Sequence, residues 1–571
     1  MNPAELQSAS SPPRQILDFV YEHEAQAPDR LYLTQPIGGR EVVDYTWGQV
    51  VGQARRMAAH LRTRRFEPGA RIAILSANCA HFIIAELAIW MAGGTSVAIF
   101  PNESPATIRF VLEHSDASLL FVGKLDQWEQ QRSAVPAGLP CIALPLAPTA
   151  TTFETWDSIT RHTAPQAQNV ARAPGDLAMI CYTSGSTGEP KGVMHSFERL
   201  SDTSIRIVEY LKGLYGTGVE GRSLSYLPLA HIYERAWVEC ASLVDGRGQI
   251  YFTESLATFA QDLIRARPNG FISVPRLWLK FQQAVHARMP PEVLDGLLKD
   301  PVSGPVVARE VLKGMGLDQV IAASSGSAPI TPELIDWYRR LGLNLMEGYG
   351  MTEDFAYSHG SSEVFHAPGY VGVPLPGVEV RIADGGEILI KSPGQMVGYY
   401  KRPDLDAEAF TADGFFRTGD QGECLPNGLL RITGRLKEIF KTAKGKYVAP
   451  APIENRLLAH PMIESAIVTG SGQAAPYAVV VLTEDWRAKV DKALSRAQIE
   501  SGLRSLLAEV NGALAGHEKL GMVVVSSQPW SVENGCLTPT LKIKRSRIEA
   551  MLGAQVAHWF AHKSPVVWAT S

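Results

Sequence analysis

The stretch Tyr182-Thr-Ser-Gly-Ser-Thr-Gly-Glu-Pro-Lys-Gly-Val-Met-His-Ser196 concentrates groups suited to holding phosphate. It offers the hydroxyls of Thr183, Ser184, Ser186 and Thr187, the glycines Gly185, Gly188 and Gly192, and one cation, Lys191. Glycine lets the backbone turn tightly and approach an anion, hydroxyls and amides donate hydrogen bonds, and an ammonium adds a point charge. Such residues also make ordinary turns. Here, however, the apolar run Asp176-Leu-Ala-Met-Ile-Cys-Tyr182 reads as a strand that delivers the loop. The spacing is not that of the nucleoside-triphosphatase P-loop, because no Gly-Lys-Ser/Thr follows a glycine at the required distance. The loop points to a polyphosphate grip outside the P-loop folds.

Further chemistry-bearing groups follow at long intervals. They are His231 within Tyr226-Leu-Pro-Leu-Ala-His-Ile-Tyr-Glu-Arg235, Glu353 closing Glu347-Gly-Tyr-Gly-Met-Thr-Glu353, and Asp420 in Phe416-Arg-Thr-Gly-Asp420. A lysine-rich segment, Gly535-Cys-Leu-Thr-Pro-Thr-Leu-Lys-Ile-Lys-Arg545, lies near the C-terminus. No Gly-x-Ser-x-Gly elbow and no His-Glu-x-x-His is present, so neither a serine hydrolase nor a zinc protease is indicated.

The elements that must position these groups alternate. Trp47–Arg65 reads as an amphipathic helix, Arg71–Leu75 as strand, His81–Met91 as helix, Val97–Phe100 as strand, Ala106–His114 as helix and Ala117–Val122 as strand. Alternation with short connections predicts stacked α/β units with largely parallel sheets. Residues 130–175, rich in Ala and Pro, are expected to form a surface excursion. Val378–Ile390 and Phe415–Ile432 read as shorter, turn-punctuated strands. A boundary is expected near Gly434-Arg435-Leu436-Lys437. Beyond it, strands at Ser465–Thr469, Tyr477–Leu482 and Met522–Ser526 with a helix over Ala497–Ala515 predict a compact α+β unit of about 130 residues. The expected division is 1–433, a connector at 434–437, and 438–571.

Bulk properties agree with a multidomain globular chain. At 571 residues the chain holds roughly three or four structural units. With 45% hydrophobic and 20% charged residues it is of ordinary globular composition. A net charge of -4 argues against a nucleic-acid partner, and the short basic run Lys542–Arg547 does not overturn that. The six cysteines show no CxxC pair or metal spacing and read as free thiols in a reducing compartment, hence a cytoplasmic chain. No signal peptide is evident at the N-terminus. The apolar stretch Phe82–Phe100 contains Glu86 and breaks at Gly93-Gly94, so a buried helix, a turn and a buried strand are expected rather than a span. Peripheral contact with a membrane surface stays open, as does the choice between monomer and homodimer.

The phosphate string, together with the later segments in their order, resembles the adenylate-forming superfamily, which includes acyl-CoA synthetases, firefly luciferases and the adenylation domains of peptide synthetases. The resemblance runs over nearly the whole chain and is strongest to long-chain fatty acyl-CoA synthetases. It implies a large N-terminal domain of stacked α/β sheets with a β-rich subdomain, and a small mobile α+β C-terminal domain. It implies ATP, Mg²⁺ and CoA as co-substrates and cofactor, and a fatty acid as substrate.

Residue by residue, the resemblance implies that Thr183, Ser184, Gly185, Ser186, Thr187, Gly188 and Lys191 bind the ATP phosphates. His231 would border the acyl pocket and the acyl-phosphate. Gly326, Ser327 and Ala328 of Ser325-Gly-Ser-Ala-Pro329 would lie against adenine. Tyr349 would stack on the base, Thr352 would bond the α-phosphate, and Glu353 would hold Mg²⁺, a hard cation that suits one carboxylate shared with phosphate oxygens. Asp420 and Arg435 would serve the ribose, and Lys437 would be the hinge. Lys542 aligns best with the catalytic lysine, with Lys544 as its neighbour; the usual preceding glycine is Leu541 here. Gly445, in Phe440-Lys-Thr-Ala-Lys-Gly-Lys-Tyr-Val-Ala-Pro450, would line the pantetheine channel, where Lys444 replaces a common glycine and faces CoA phosphates or solvent.

The implied reaction joins a carboxylate to the α-phosphorus of ATP, releasing pyrophosphate, and then transfers the acyl group to CoA. A ligase that loads a free-standing acyl carrier protein is the alternative.

Overall fold

The computed structural model describes residues 13–570 apart from 185–188, 217, 363, 365, 491–492, 539–541 and 563. An eight-stranded sheet carries the phosphate string. Its order is Gly398–Tyr399, Pro190–Ser196, Leu177–Ser184, Thr95–Ile99, Arg71–Leu75, Leu119–Val122, Cys141–Ala143 and Glu154–Thr155. From Leu177–Ser184 to Glu154–Thr155 neighbours run parallel, while the two strands at the other edge are antiparallel. Alternate side chains feed two cores: Ile72, Ile74 and Phe121 enter one, and Ala73, Leu75, Leu120 and Val122 the other. That period-two division is what a strand covered on both faces requires.

Helix Ala80–Ala92 is buried around its circumference, and Gly93 (φ 93°) ends it in the left-handed conformation before strand Thr95–Ile99. The helix–turn–strand reading of this stretch holds, and among the described residues no helix is long and apolar enough to cross a membrane. Glu86, a charge within that helix, is fully buried and pairs with Arg235. The excursion expected over 130–175 is corrected. Cys141–Ala143 and Glu154–Thr155 extend the main sheet, and the helix Trp156–His162 plants Trp156 at 0% exposure in the core. Strands of two and three residues carry too little periodicity to show in the sequence.

A five-stranded sheet follows. Gly270–Ser273, Ala322–Ser325 and Leu345–Tyr349 run parallel, and His359–Gly360 and Val373–Pro374 are antiparallel additions. A four-stranded sheet joins Arg222–Ser225, Gln249–Phe252, Leu31–Gly38 and Glu41–Thr46. The β-rich part is an antiparallel sheet of Glu379–Ile382, Glu387–Lys391, Phe416–Cys424 and Leu430–Arg435.

After a single 3-10 turn, Leu436–Glu438, comes the C-terminal α+β unit. Its sheet pairs Ile463–Thr469 antiparallel with Tyr477–Leu482, then adds Val523–Val525 and Val566–Trp568 in parallel. Helices Pro450–Leu458 and Ala493–Gly512 cover one face and Arg545–His562 the other. The chain is thus α/β, with a large N-terminal part and a smaller C-terminal one. All six cysteines are free thiols.

Candidate functional site

Parallel strands Ala322–Ser325 and Leu345–Tyr349 pair with Ser325 opposite Glu347, so both deliver their following loops to the same edge. Open α/β sheets bind ligands at such carboxyl ends. On this edge the turn Gly326-Ser327-Ala328 follows one strand and Tyr349 ends its neighbour. Ser327 holds a left-handed φ of 68°, and the Gly326 N–H donates to the Ser273 carbonyl at 3.1 Å. A Cβ on Gly326 would stand 3.4 Å from the Tyr233 ring, so the turn is seated against the His231 segment.

Tyr349 leads into a compact turn. The Asp354 carboxylate oxygen Oδ1 accepts from the N–H groups of Met351 (2.8 Å) and Tyr357 (3.2 Å), closing a loop around Thr352 and Glu353. Phe355 and Ala356 both take left-handed φ values, 59° and 53°. Gly350 is required, because a Cβ there would lie 2.8 Å from the Ala356 backbone. Burial pushes the Asp354 carboxyl up to about 8, with the neighbouring Glu353 charge adding to the rise against backbone donors that oppose it. His195 joins this turn to the phosphate string through a 2.9 Å bond between its Nε2 and the Thr352 carbonyl. Burial pulls His195 down to about 4, so its neutral ring donates there.

The two residues expected to serve the ribose meet on the antiparallel sheet, where Asp420 stands opposite Arg435. Asp420, 3% exposed, accepts at Oδ2 from the Tyr349 hydroxyl (2.7 Å) and pairs at Oδ1 with Arg435 Nε (2.8 Å). One carboxylate thereby links the aromatic proposed for the base to the guanidinium at the end of the sheet.

The phosphate string is a β-hairpin. Thr183 faces Lys191 and Ser184 faces Pro190 across it. Gly185, Ser186, Thr187 and Gly188 lie outside the described residues, as does the Ser184 side chain. Lys191 Nζ sits 5.1 Å from the centre of the Tyr399 ring. Burial holds the Lys191 ammonium below its ordinary pKa, as does the neighbouring Lys437, while Glu353 pulls the other way.

Lys542 comes from the C-terminal unit and is tied by reciprocal bonds to Thr538: the Thr538 N–H donates to the Lys542 carbonyl (2.8 Å), and the Lys542 N–H donates to Thr538 Oγ1 (3.0 Å). Lys542 is exposed, and partial desolvation by the protein around it lowers its pKa. Arg435 adds to the fall, and Glu353 and Asp420 oppose it. His231 lies in the same field. Burial and the Lys542 charge bring it down to about 3. Its Nδ1 accepts from the Tyr233 N–H at 3.2 Å, which leaves the proton of the neutral ring on Nε2. Lys544 instead faces Glu103, whose burial-raised pKa it lowers. Of the two lysines, Lys542 is the one directed at the carboxylates.

The structure therefore gathers Lys191, Lys437, Arg435 and Lys542, from distant segments, around the carboxylates Glu353 and Asp420. Positive charge in excess within a partly desolvated cleft suits a polyanion. Gly445 does not join this cluster. It turns (φ 75°) at the tip of the hairpin Phe440–Lys441/Tyr447–Val448, which is fastened to its own unit by the Ala443 N–H to the Gln473 carbonyl (2.8 Å). Lys441, Lys444 and Lys446 are exposed on it. Two residues escaped the sequence reading of the site, His195 and Tyr399. The hydroxyl of Tyr399 donates to Glu353 Oε1 at 2.8 Å. His195 stood within the quoted phosphate string, and the edge strand Gly398–Tyr399 carried no signal of its own.

The profile of the family described as AMP-binding enzyme matches residues 20–400, and that of the AMP-binding enzyme C-terminal domain matches residues 438–563. The chain belongs to this family, the adenylate-forming superfamily, and is an ATP-using ligase that activates an acid by adenylation. Among curated proteins it is 30% identical to a long-chain-fatty-acid–CoA ligase of Mycobacterium bovis, over 95% of this chain and 96% of that one. It is 27% identical to long-chain-fatty-acid–CoA ligase 1 of Homo sapiens, over 86% and 78%. Among solved structures, the adenylation domain of carboxylic acid reductase from Segniliparus rugosus, in complex with AMP and a co-purified carboxylic acid, superposes with a TM-score of 0.80 at 22% identity, covering 97% of this chain and 95% of that one.

Proposed function

We propose that this protein activates a medium- or long-chain fatty acid as acyl-AMP and then transfers the acyl group to CoA. The observation that carries the reading is the convergence of Lys191, Arg435 and Lys542 on Glu353 and Asp420, beside His231 and the segment Tyr226–Arg235. The names of the relatives aligned over most of the chain support the fatty acid and CoA.

Attack of a carboxylate on the α-phosphorus brings an anion onto a polyanion, so catalysis reduces to positioning and charge neutralisation. Tyr349 and the turn 326–328 receive the base, and Asp420 accepts from the ribose hydroxyls. Lys191 and the hydroxyl-rich hairpin hold the leaving pyrophosphate. Lys542 stands between the acid and the α-phosphate, and His231 Nε2–H donates to an acyl or phosphate oxygen. Glu353 is the residue that would hold a magnesium ion, since the Tyr399 hydroxyl fixes Oε1 and leaves Oε2 free for a hard cation. Such an ion would supply charge neutralisation for the phosphates. No nucleophilic side chain is needed.

Transfer to a thiol requires Lys542 to withdraw. We assign that movement to rotation of the unit after Lys437, in the 3-10 turn Leu436–Glu438, which brings the Gly445 hairpin to the cleft. The exposed Lys441, Lys444 and Lys446 suit the phosphates of CoA.

The test is a pyrophosphate-release panel running from acetate and benzoate through octanoate to oleate, each with CoA, with a phosphopantetheinylated carrier protein, or with neither. Acyl-CoA formation from octanoate and longer acids is expected. Product only on the carrier protein would replace CoA as acceptor, and turnover restricted to short or aromatic acids would refute the fatty-acid assignment.

A further inference from the structure

Lys191 and Glu353 carry opposite charges on either side of Tyr399, where their attraction favours closure into an ion pair. That closure would neutralise both the phosphate cation and the cation ligand. One side chain stands at both groups. Tyr399 is 6% exposed; its hydroxyl donates to Glu353 Oε1 at 2.8 Å, and its ring centre is 5.1 Å from Lys191 Nζ. We propose that Tyr399 is a positioning residue that holds Lys191 and Glu353 apart and ready, the ammonium over its ring and the carboxylate on its hydroxyl.

The scaffold around Tyr399 is built for this. Strand Gly398–Tyr399 pairs antiparallel with the phosphate hairpin, Tyr399 opposite Val193, which sets it two residues along from Lys191. The Tyr399 N–H donates to Asp406 Oδ1 at 2.8 Å. A Cβ on Gly398 would stand 2.7 Å from Asp406 Oδ2, so glycine is what admits that carboxylate. The Met396 N–H donates to the Glu353 carbonyl at 2.8 Å, tying the same segment to the backbone of the carboxylate it serves. Burial and the Glu353 charge raise the Tyr399 pKa, which keeps the phenol a donor. Aromatic faces attract ammonium groups, and a hydrogen bond to a charged partner is among the stronger neutral-donor contacts.

The inference rests on the reading that Lys191 takes phosphate and Glu353 the cation. Its test is a double-mutant cycle read by calorimetric binding of MgATP without acid, on the full chain. Tyr399→Phe keeps the ring and removes only the hydroxyl. It is expected to weaken MgATP roughly tenfold, because the freed Glu353 pairs with Lys191 and that ion pair must open before MgATP binds. In a Lys191→Ala background the same change is expected to matter by less than about twofold, because no ammonium is left to capture the released carboxylate. Equal effects in both backgrounds overturn the proposal, since a merely structural tyrosine gives additive losses. If Lys191→Ala leaves MgATP binding unchanged, the phosphate reading fails and the brace with it; if Lys191→Ala weakens binding but Tyr399→Phe does not, only the brace fails. A second measurement avoids nucleotide altogether. The acetylation rate of Lys191, followed by mass spectrometry, is expected to fall in Tyr399→Phe as the ammonium pairs with Glu353; an unchanged or faster rate refutes the brace.

Discussion

Arg276, at the start of helix Pro275–Arg288 in the large N-terminal part, forms an ion pair with Glu464 of strand Ile463–Thr469 in the C-terminal unit. Glu464 is steadied by Arg487 at 2.5 Å from its own unit. If the C-terminal unit rotates as proposed, the pair acts as a latch on the arrangement in which Lys542 faces Glu353 and Asp420, and rotation carries Glu464 away. Side-chain exposures of 34% and 21% place the pair between a surface and a buried one. Discounted for solvent screening, about 1 kcal/mol is appropriate.

Arg276→Gln removes that energy from one conformation only. Each half-reaction proceeds in proportion to the population of its own conformation, so the ratio of their rates follows the conformational equilibrium constant wherever that equilibrium lies. A loss of about 1 kcal/mol changes the ratio about fivefold, at the expense of adenylation. The assay is single-turnover pyrophosphate release on one side and acyl transfer from supplied acyl-AMP on the other. Raising ionic strength is expected to lower the wild-type ratio more than that of Arg276→Gln, because salt screens a partly exposed pair. A ratio unchanged within about twofold, with the same salt dependence in both proteins, refutes the latch.

Lys542→Ala is expected to slow pyrophosphate release by about 10² or more while leaving transfer from acyl-AMP nearly intact. Lys437→Pro is expected to show the reverse, and equal loss of both steps in either variant refutes its assignment. Asp354, raised to about 8 by burial, binds more protons in the native than in the unfolded state, so its contribution to stability is fully present at low pH and is lost as pH rises from the ordinary carboxylate range through about 8. Asp354→Asn keeps Oδ1 as acceptor without the charge and is expected to gain in melting temperature relative to wild type as pH rises from about 4 to about 9; a difference that stays constant across that range refutes this account. Gly350→Ala drives a Cβ to 2.8 Å from the Ala356 backbone and is expected to destabilise the protein by about 1–3 kcal/mol in denaturant melts, with no loss as the contrary result.

What the sequence reveals divides along physical lines. Arg71–Leu75 is a strand over the residues its apolar run predicts, and the C-terminal strands follow theirs closely, because alternation is a local property of buried sheets. Cys141–Ala143 and Glu154–Thr155 stayed hidden because their strand character comes from a neighbour's edge and not from their own pattern. The same holds in the site. Glycines and hydroxyls of the phosphate hairpin announce themselves within a dozen residues, whereas Tyr399 matters only because sheet register sets it beside Val193 and its hydroxyl reaches Glu353.

Glu86 makes the point from the other side. In the sequence it is a charge that spoils a membrane span; in the fold it lies at 0% exposure, bonded to Ser96 and Arg235. Arg235 also faces Glu239 at 3.4 Å across a π-helical turn, Arg235–Cys240, directly after His231 and Tyr233. Such a cluster adds little net stability, since desolvation offsets most of the pairing, but leaving any one member unpaired is severely unfavourable. It therefore admits one placement of the segment, and Trp237 in the same turn carries that placement to the Thr352–Glu353 loop by donating to the Ala356 carbonyl at 2.8 Å. Arg235, at the end of the His231 segment, thus belongs to the scaffold that aims the site rather than to the groups that touch substrate, a distinction invisible until Glu86 is found against it.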